Sequence, residues 1–478
     1  MAHTTSLKSE YGDANDKMSG CLNLTVSHRA NEFKSEMLTE TTLEEGFKMR
    51  TEETSEGASK SPRTSMHLLR DLFPVYLVVT AFSLDMTLYL PTVNPYIESI
   101  VGIEKLTYYF SLTQSVSSAA QIITSFSIGY VAEKIGSIKW VFFSLMSLYV
   151  VGNVLYSIGS PSGLNSIVLV IVGRILCSVA EGSVGLGSSY IALVTTEEER
   201  LPAMSQYRSF MGFALIGPGL SSLFGLCDFY IGSYNINAHT APTLFTALLM
   251  FAFNMIILFR MKDRKTKAAS LLKGIQTFFR PGPLSLLFLQ LFSSFSIATT
   301  QYLMPATFWQ RYHFDTGLQG GLMVAIGIVA LSGALFSHKL HSVFEQFSRT
   351  KQAEVHMTAF AFGISTVAYI GMLLAIRLDS EPATIGGKLV WIIACTLLYT
   401  AYNLQSSIHP SIFSKIIDPT LVVSLMPWLM GVFAVGKIIA PAVAGPLFPW
   451  LAYIAPLAMG ILGFAIAMLA RNTLSTSK

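Results

Sequence analysis

The sequence predicts an all-α integral membrane protein in which about twelve helices cross the bilayer as two six-helix halves. Three observations indicate this fold class. Of the 478 residues, 52% are hydrophobic and only 13% are charged, about half the charged fraction of a typical soluble domain. Apolar stretches of about 20 residues recur, the length needed to cross roughly 30 Å of hydrocarbon. Lysine and arginine are concentrated in alternate connecting loops.

The apolar stretches define the predicted spans. The first six are expected at Leu72–Thr92, Leu106–Ile128, Lys139–Gly159, Ile167–Tyr190, Met204–Leu226 and Thr240–Phe259. The second six are expected at Leu284–Ala306, Leu318–Ser337, Met357–Ile376, Lys388–Ser407, Leu421–Pro446 and Leu451–Ala470.

Polar segments divide the chain around these spans. Residues 1–66 are rich in Ser, Thr, Glu and Lys, so they are expected to form a disordered cytosolic tail. This segment has no apolar signal-peptide core, and the first span is therefore expected to act as the signal anchor. An N-terminal bundle at 67–260, a basic cytosolic connector at 261–283, a C-terminal bundle at 284–471 and a cytosolic tail at 472–478 complete the predicted organisation.

The distribution of basic residues predicts the orientation. One set of loops carries Lys134, Arg200, the basic run at 260–267 and Lys415. The opposite loops hold few lysines and arginines. Because short loops rich in basic residues remain in the cytosol, we expect that set of loops and both chain ends to be cytosolic.

Four ionisable residues lie deep in the predicted spans: Asp85, Arg174, Glu181 and Lys437. Each costs about 2.5–3.5 kcal/mol at a helix centre, so each requires a partner or a water-filled cavity. Arg174 and Glu181 are two helical turns apart and share one face of the fourth span. These residues either line a substrate or ion pathway, with Asp85 or Glu181 changing protonation, or form an ion network that only fixes helix packing.

Polar stripes mark two further spans. The second span presents Gln114, Ser117, Gln121 and Ser125 at helical spacing. The tenth span carries Asn403, Gln405 and His409 near its predicted cytosolic end. Such residues bind a substrate or hold helices together by interhelical hydrogen bonds. For His409 the alternatives are a satisfied or interfacial histidine and a proton relay.

Gly217 and Pro218 interrupt the predicted fifth span. Proline frees a backbone carbonyl group and permits a bend, and glycine permits close helix approach. A weak internal repeat accompanies this pair, because Asp85–Pro91 of the first span corresponds to Thr299–Pro305 of the seventh. Repeated halves are typical of proteins that bind a substrate at their interface.

The sequence lacks the motifs of soluble enzymes. It contains no phosphate-binding loop, no His-Glu-x-x-His motif and no nucleophile elbow. We therefore expect neither an enzyme nor an ATP-driven pump, and no cofactor or metal. The expected partners are a small-molecule or ion substrate and the lipid bilayer, with no nucleic acid, and the protein is expected to be monomeric.

The segment Gly129-Tyr-Val-Ala-Glu133-Lys134-Ile-Gly136 resembles the signature between the second and third spans of the major facilitator superfamily. Glu133 stands where aspartate is usual in that family. The resemblance extends to Arg174 of the fourth-span motif, to Gly217-Pro218 of the fifth-span motif, and to the first-span aspartate, Asp85, of proton-coupled antiporters. It implies a twelve-helix transporter with a latch at Gly129, Glu133, Lys134 and Gly136 on the cytosolic side.

Further stretches, including Glu199-Arg200 and Gly436-Lys437-Ile438, resemble a lysosomal member of the same family. This resemblance implies a lysosomal or endosomal membrane, with the plasma membrane as the alternative, and an anion-conducting role. The leading hypothesis is a secondary active transporter that moves a small polar or charged solute by alternating access, coupled to protons. An anion channel on the same scaffold and a non-transporting receptor or scaffold are the alternatives.

Overall fold

Long α-helices account for nearly all of the chain that can be described. The computed structural model describes residues 65–159, 166–212, 217–224, 226–232, 234–264, 266, 271–314, 316–347, 352–378, 384–444 and 451–475. The described residues from Leu69 onward belong to one compact unit. The predicted disordered tail falls almost entirely outside the described residues.

The elements up to the connector include one hairpin. They are α1 (Ser65–Val101), α2 (Ile103–Ile135), α3 (Ile138–Ile158), α4 (Ile167–Glu181), α5 (Ser183–Val194), α6 (Glu197–Gly212), α7 (Gly217–Phe224), β1 (Asp228–Ile231), β2 (Tyr234–Asn237) and α8 (Ala241–Arg260). The two short strands pair antiparallel, with Asp228 opposite Asn237.

The remaining elements are helical. They are α9 (Leu271–Phe278), α10 (Pro281–Ala306), α11 (Thr316–Leu335), α12 (Ser337–Phe347), α13 (Ala353–Leu378), α14 (Ile385–Ile416), α15 (Val422–Ala444), α16 (Ile454–Leu469) and α17 (Arg471–Ser475). A π-helical turn, Thr307–Arg311, continues α10, and single 3₁₀ turns, Pro419–Leu421 and Leu451–Tyr453, precede α15 and α16.

Helices occur at all the predicted spans, and ten described stretches are long and apolar enough to cross a membrane. The second and fifth predicted spans are not among them. Helix α2 has 33 residues, but its glutamines and serines lower its mean hydropathy. The fifth span is divided into α6 and α7, with residues 213–216 between them outside the described chain.

Three details differ from the predicted spans. The fourth span consists of α4 and α5, which meet at Gly182. The predicted connector contains the amphipathic helix α9, and α10 begins inside it at Pro281. The short helix α17 lies at the start of the predicted C-terminal tail, and its Leu474 is buried.

Helices pack together both within and between the two predicted halves. Helix α3 packs against α4 and α8, and α13 packs against α14 and α16. Between the halves, α2 and α5 pack against α15, and α6 packs against α11 and α14. A tyrosine hydroxyl group links a corresponding pair of helices in each half. The Tyr149 hydroxyl of α3 donates a hydrogen bond to Asp85 of α1. In the second half, the Tyr369 hydroxyl of α13 lies 3.0 Å from the Thr300 hydroxyl of α10. This correspondence agrees with the repeat in the sequence.

The basic loops lie at one end of the bundle. Lys262 binds Asp71 at the start of α1, and Lys415 binds Glu354 at the start of α13. Arg200 donates a hydrogen bond to the carbonyl oxygen of Ser414, 3.2 Å away. These contacts join helix ends from both halves on the side that the sequence predicts to be cytosolic.

Candidate functional site

A buried carboxylate organises the interior of the first half. Asp85 of α1 has no exposed surface. Its Oδ2 atom accepts a hydrogen bond from the Tyr149 hydroxyl at 2.5 Å and lies 3.2 Å from Nη1 of Arg174. Its Oδ1 atom accepts a hydrogen bond from the Thr246 hydroxyl at 2.7 Å. Four predicted spans therefore meet at one carboxylate whose two oxygen atoms both have donors.

Arg174 connects this carboxylate to a second one. Its guanidinium carbon lies 3.8 Å from the centroid of the Tyr89 ring, a cation–π geometry. Its Nη2 atom lies 3.8 Å from Oε1 of Glu181. The helical spacing in α4 thus brings Arg174 and Glu181 together, as the sequence analysis expected. Because Asp85 also pairs with Arg174, the cation is shared between two carboxylates.

Glu181 and Lys437 occupy opposite halves of the interface. Glu181 is the last residue of α4, directly before Gly182, and its side chain is 12% exposed. Lys437 of α15 is half-buried, and its Nζ atom lies 5.7 Å from the centroid of the Phe433 ring. Glu181 attracts this ammonium group electrostatically. Within the described part of the chain, no carboxylate oxygen lies within 4 Å of Lys437 Nζ.

The polar stripe of α2 is largely buried. The hydroxyl groups of Ser117 and Ser125 have no hydrogen-bond partner among the described residues. Gln121 is 4% exposed, and Gln114 is half-buried. Since buried polar groups are normally paired, the free hydroxyl groups favour a surface that contacts water or a solute during function.

The polar residues of α14 behave differently. Asn403 donates to the carbonyl oxygen of Ala330 at 2.9 Å, and Gln405 accepts from Ser293 at 2.5 Å. Both side chains therefore hold α14 to its neighbours, as the packing interpretation predicts. His409 is fully buried rather than interfacial; its Nδ1 atom lies 2.8 Å from Oε1 of Gln290, while Nε2 has no partner in the described chain.

The predicted latch motif lies where α2 meets α15. Glu133 is 3% exposed and accepts a hydrogen bond from the hydroxyl group of Ser424. Gly129 lies directly against the backbone of Val423 and Ser424. Nearby, the indole nitrogen of Trp428 donates to the carbonyl oxygen of Phe126 at 3.0 Å. The motif thus joins the two halves instead of acting within the first half alone.

The other members of the motif have separate roles. Lys134 is exposed. Gly136 ends α2 with φ +75°, a left-handed conformation that favours glycine. Ser137 caps α3 by accepting a hydrogen bond from Trp140 N, and its hydroxyl group lies 2.7 Å from Oδ1 of Asp263 in the connector. Among the contacts that the described residues make, those of Gly129 and Glu133 reach the opposite half.

Gly217 begins α7 and lies against Thr87 of α1. A larger residue there would meet the Thr87 side chain, so the glycine permits close approach of the two helices. Pro218 is the next residue of α7. The bend was predicted at Gly217 and Pro218, which are the first two residues of α7; residues 213–216 before them lie outside the described chain.

Sequence reasoning missed two buried charges. Arg208 lies only four residues inside the predicted fifth span, a position typical of a residue at the membrane surface, yet it is 5% exposed. Glu354 precedes the predicted ninth span, yet it is 8% exposed and accepts hydrogen bonds from Lys415 and Ser411. The available signal for Arg208 was its position within the predicted fifth span, two residues before the apolar run Phe210–Gly212.

A bundle of membrane-spanning helices with ionisable groups where its halves meet defines a membrane transport protein. The Major Facilitator Superfamily profile matches residues 75–408, and the chain belongs to that family. Over 415 residues it is 27% identical to the MFS-type transporter PUL3 of Kluyveromyces lactis, covering 78% of this chain and 89% of that protein.

Two solved structures share the fold. The human organic anion transporter MFSD10 superposes with a TM-score of 0.68 at 14% identity, covering 85% of this chain and 100% of that chain. The proton:xylose symporter XylE, solved with 6-bromo-6-deoxy-D-glucose bound, gives a TM-score of 0.67 at 12% identity, covering 86% of this chain and 96% of that chain. At these identities the likeness establishes the fold alone.

Proposed function

We propose that this protein is a secondary active transporter that moves a small polar or charged solute by alternating access, with proton coupling. One observation carries the proposal. Lys437 belongs to α15 of the second half, which packs against α2 and α5 of the first half, and among the described residues no carboxylate oxygen lies within 4 Å of its Nζ atom. An incompletely paired ammonium group within the membrane is expensive, and a solute that binds between the halves supplies the missing contacts.

The contacts at the predicted cytosolic end support a rocking motion. Gly129 touches the backbone around Ser424, and Gly185 of α5 touches Pro427 of α15. Both contacts join helices that belong to different halves. Small residues let backbones approach closely and separate without breaking an interlocked packing. In this conformation the halves are closed at that end, and opening there would release a solute to the cytosol.

The four membrane charges have separate proposed roles. Asp85 and Arg174 hold the first half together, because Asp85 has donors on both oxygen atoms and no exposed surface. Glu181 is the better candidate for proton coupling, since its side chain is 12% exposed and its cation is shared with Asp85. Lys437 binds the solute, and Gln114 and Gln121 line the pathway on α2.

The experiment is reconstitution of the full chain into liposomes with a panel of solutes, measuring counterflow and current under an imposed pH gradient. Lys437→Met should abolish counterflow, and Glu181→Gln should retain exchange but lose its dependence on the pH gradient. Lys105→Met is the matched control, since Lys105 is exposed near the start of α2. Transport by Lys437→Met equal to the wild type would remove Lys437 from the pathway.

The liposome experiment, together with a deletion of residues 1–66, tests the alternative functions. An anion channel would give currents far above transporter turnover and no acceleration of efflux by solute on the opposite side. A non-transporting receptor or scaffold would lose its function on deletion of residues 1–66 and keep it in Lys437→Met. Either result would overturn the transporter proposal.

The cellular location and assembly state belong to the same proposal. Resemblance in sequence to a lysosomal member of the family supports a lysosomal or endosomal membrane, with the plasma membrane as the alternative. We propose that the protein acts as a monomer, because one chain supplies both of the helical halves that alternating access requires. Fluorescence microscopy of the tagged full chain and light scattering of the purified protein test these two points.

A further inference from the structure

A second buried cation lies between the two halves. Arg208 of α6 is 5% exposed. Its Nη1 atom lies 3.0 Å from the sulfur atom of Met211, and its Nη2 atom lies 3.8 Å from the sulfur atom of Met430 in α15. Its Nε atom is buried and has no hydrogen-bond partner among the described residues. Among the described residues, no carboxylate oxygen lies within 4 Å of this guanidinium group.

These partners do not compensate the charge. A guanidinium group has five N–H donors, whereas a thioether sulfur is only a weak acceptor. Burying a cation without an anion is strongly unfavourable. Methionine or glutamine would fill the same space between the helices without this cost. The charge at Arg208 therefore indicates an anion that binds there during the working cycle.

The surroundings of Arg208 offer a ligand further contacts. Tyr402 and His409 of α14 both lie within electrostatic range of the guanidinium group. The Nε2 atom of His409 is buried and has no partner in the described chain. Arg208 belongs to the first half, and α14 and α15 belong to the second. A ligand at this point would therefore contact both halves.

Lys437 lies on the same face of α15 as the residue that contacts Arg208. Met430, Phe433 and Lys437 follow the i, i+3, i+7 spacing of one helical face. The Phe433 ring lies beside Tyr402, with centroids 6.2 Å apart, and beside the Lys437 ammonium group. Seven residues of α-helix span about 10 Å. Lys437 and Arg208 thus lie at two different depths along the same face of α15, with Arg208 nearer the predicted cytosolic end.

We propose that Arg208 is an inner anion-binding site that receives the carboxylate group of a small organic acid after it has passed Lys437. This inference rests on the proposed transporter function and adds a substrate class to it. A carboxylate can accept two parallel hydrogen bonds from a guanidinium group. In the conformation described here, Met211 and Met430 cover the group, so the site becomes available when α6 and α15 move apart.

Binding by the purified full chain in lipid nanodiscs tests the site without requiring transport. The probes are benzoate and succinate, with neutral benzamide as the matched control, and the readout is the shift in unfolding temperature across a concentration series. We expect at least one carboxylate to stabilise the wild type, and benzamide to have no effect. Arg208→Gln should weaken carboxylate binding at least tenfold, and Arg208→Lys should weaken it less. Arg70→Gln, at an exposed arginine, should bind normally.

A purely structural role gives a different result. If Arg208 only supports the fold, the unliganded Arg208→Met variant should unfold at a clearly lower temperature than the wild type. We expect its unfolding temperature to be equal or higher, since an unpaired buried charge has been removed. A clear loss of stability, wild-type affinity in Arg208→Gln, or failure of both carboxylates to bind the wild type would overturn the proposal.

The outcomes also separate this inference from the transporter proposal. Carboxylate binding that depends on Arg208, without any counterflow in liposomes, would retain the site and reject the transporter. Counterflow of a neutral solute that is unchanged in Arg208→Gln would retain the transporter and reject the site.

Discussion

Glu133 of α2 accepts a hydrogen bond from the hydroxyl group of Ser424 of α15, and this contact joins the two halves at the predicted cytosolic end. Gly129 lies one helical turn earlier on α2 and touches the backbone of the same segment. The hydrogen bond is available only while these backbones remain close. Both contacts, that of Glu133 and that of Gly129, are therefore expected to be present only when the predicted cytosolic end is closed.

Gly129→Val should prevent this end from closing, because any side chain at residue 129 would overlap the backbone of Val423 and Ser424. A cysteine at position 424, in a chain without the four natural cysteines, should then react at least tenfold faster with a membrane-impermeant thiol reagent applied from the cytosolic side. Gly321→Val is the matched control, since a side chain there meets nothing within 4 Å. Equal labelling in the two variants would show that the glycine contact does not control closure.

Asp85→Asn should destabilise the fold by about 3–5 kcal/mol, because it leaves Arg174 buried with a weaker partner. Asp71→Asn removes a partly exposed ion pair with Lys262 and should cost about 0–1 kcal/mol. Thermal and denaturant unfolding of the purified variants provides the comparison. Similar losses in both variants would argue against the network as the support of the first half.

Asp85→Asn also tests proton coupling. If Asp85 only supports helix packing, the folded fraction of this variant should transport with the same pH dependence as the wild type. A changed pH profile at unchanged folded fraction would instead assign Asp85 to coupling.

His239 lies at the end of the bundle opposite the basic loops, and its titration should make the stability of the protein depend on pH. Burial lowers the pKa of His239, and its ring lies 6.2 Å from Tyr96. The neighbouring Tyr234, whose pKa burial raises, stays neutral in this range. The unfolded chain therefore binds the proton more readily than the folded protein, and stability falls as the pH drops below about 6.5.

The measurement is the unfolding temperature between pH 7.5 and pH 5.5. His239→Gln should remove part of the decrease seen in the wild type, whereas His338→Gln, at an exposed histidine, should leave it unchanged. An identical slope in wild type and His239→Gln would contradict the assignment.

Glu354→Gln should lower stability by about 1–3 kcal/mol, because it weakens a buried group of hydrogen bonds from Lys415 and Ser411. Glu345→Gln provides the control, since that carboxylate is 70% exposed and lies 3.8 Å from His341. Unfolding in denaturant compares the two variants. A smaller loss for Glu354→Gln than for the control would show that this group does not fasten α13 to α14.

The sequence predicted the fold well because hydrocarbon thickness limits the length of every span. Its predictions were incomplete where the local hydrophobic pattern does not match the position of a segment relative to the membrane. The hairpin Asp228–Asn237 was missed because it follows the predicted fifth span, which ends at Leu226, in a segment where the apolar stretches predict no element. Helix α2 was predicted from the apolar stretch Leu106–Ile128, although its polar side chains lower its mean hydropathy.

The site could be predicted only in part. The Arg174–Glu181 contact follows from helical spacing within α4. The donors to Asp85, Tyr149 and Thr246, come from other helices, and nothing local in the sequence indicates which tyrosine or threonine faces a given carboxylate. Arg208 was missed for a related reason, since its burial depends on how α6 and α15 approach each other.

The contacts of Gly129 and Gly185 with the opposite half involve backbone and proline atoms rather than matched functional groups. Such a contact depends on the small size of the residue and not on the functional group of its side chain. If Lys437 binds the solute as proposed, related transporters can change their cargo by exchanging the side chains around it, while the backbone contacts on the predicted cytosolic side keep the same spacing. A survey of relatives with different substrates should find small residues retained at positions 129 and 185 and wide variation in the side chains around position 437.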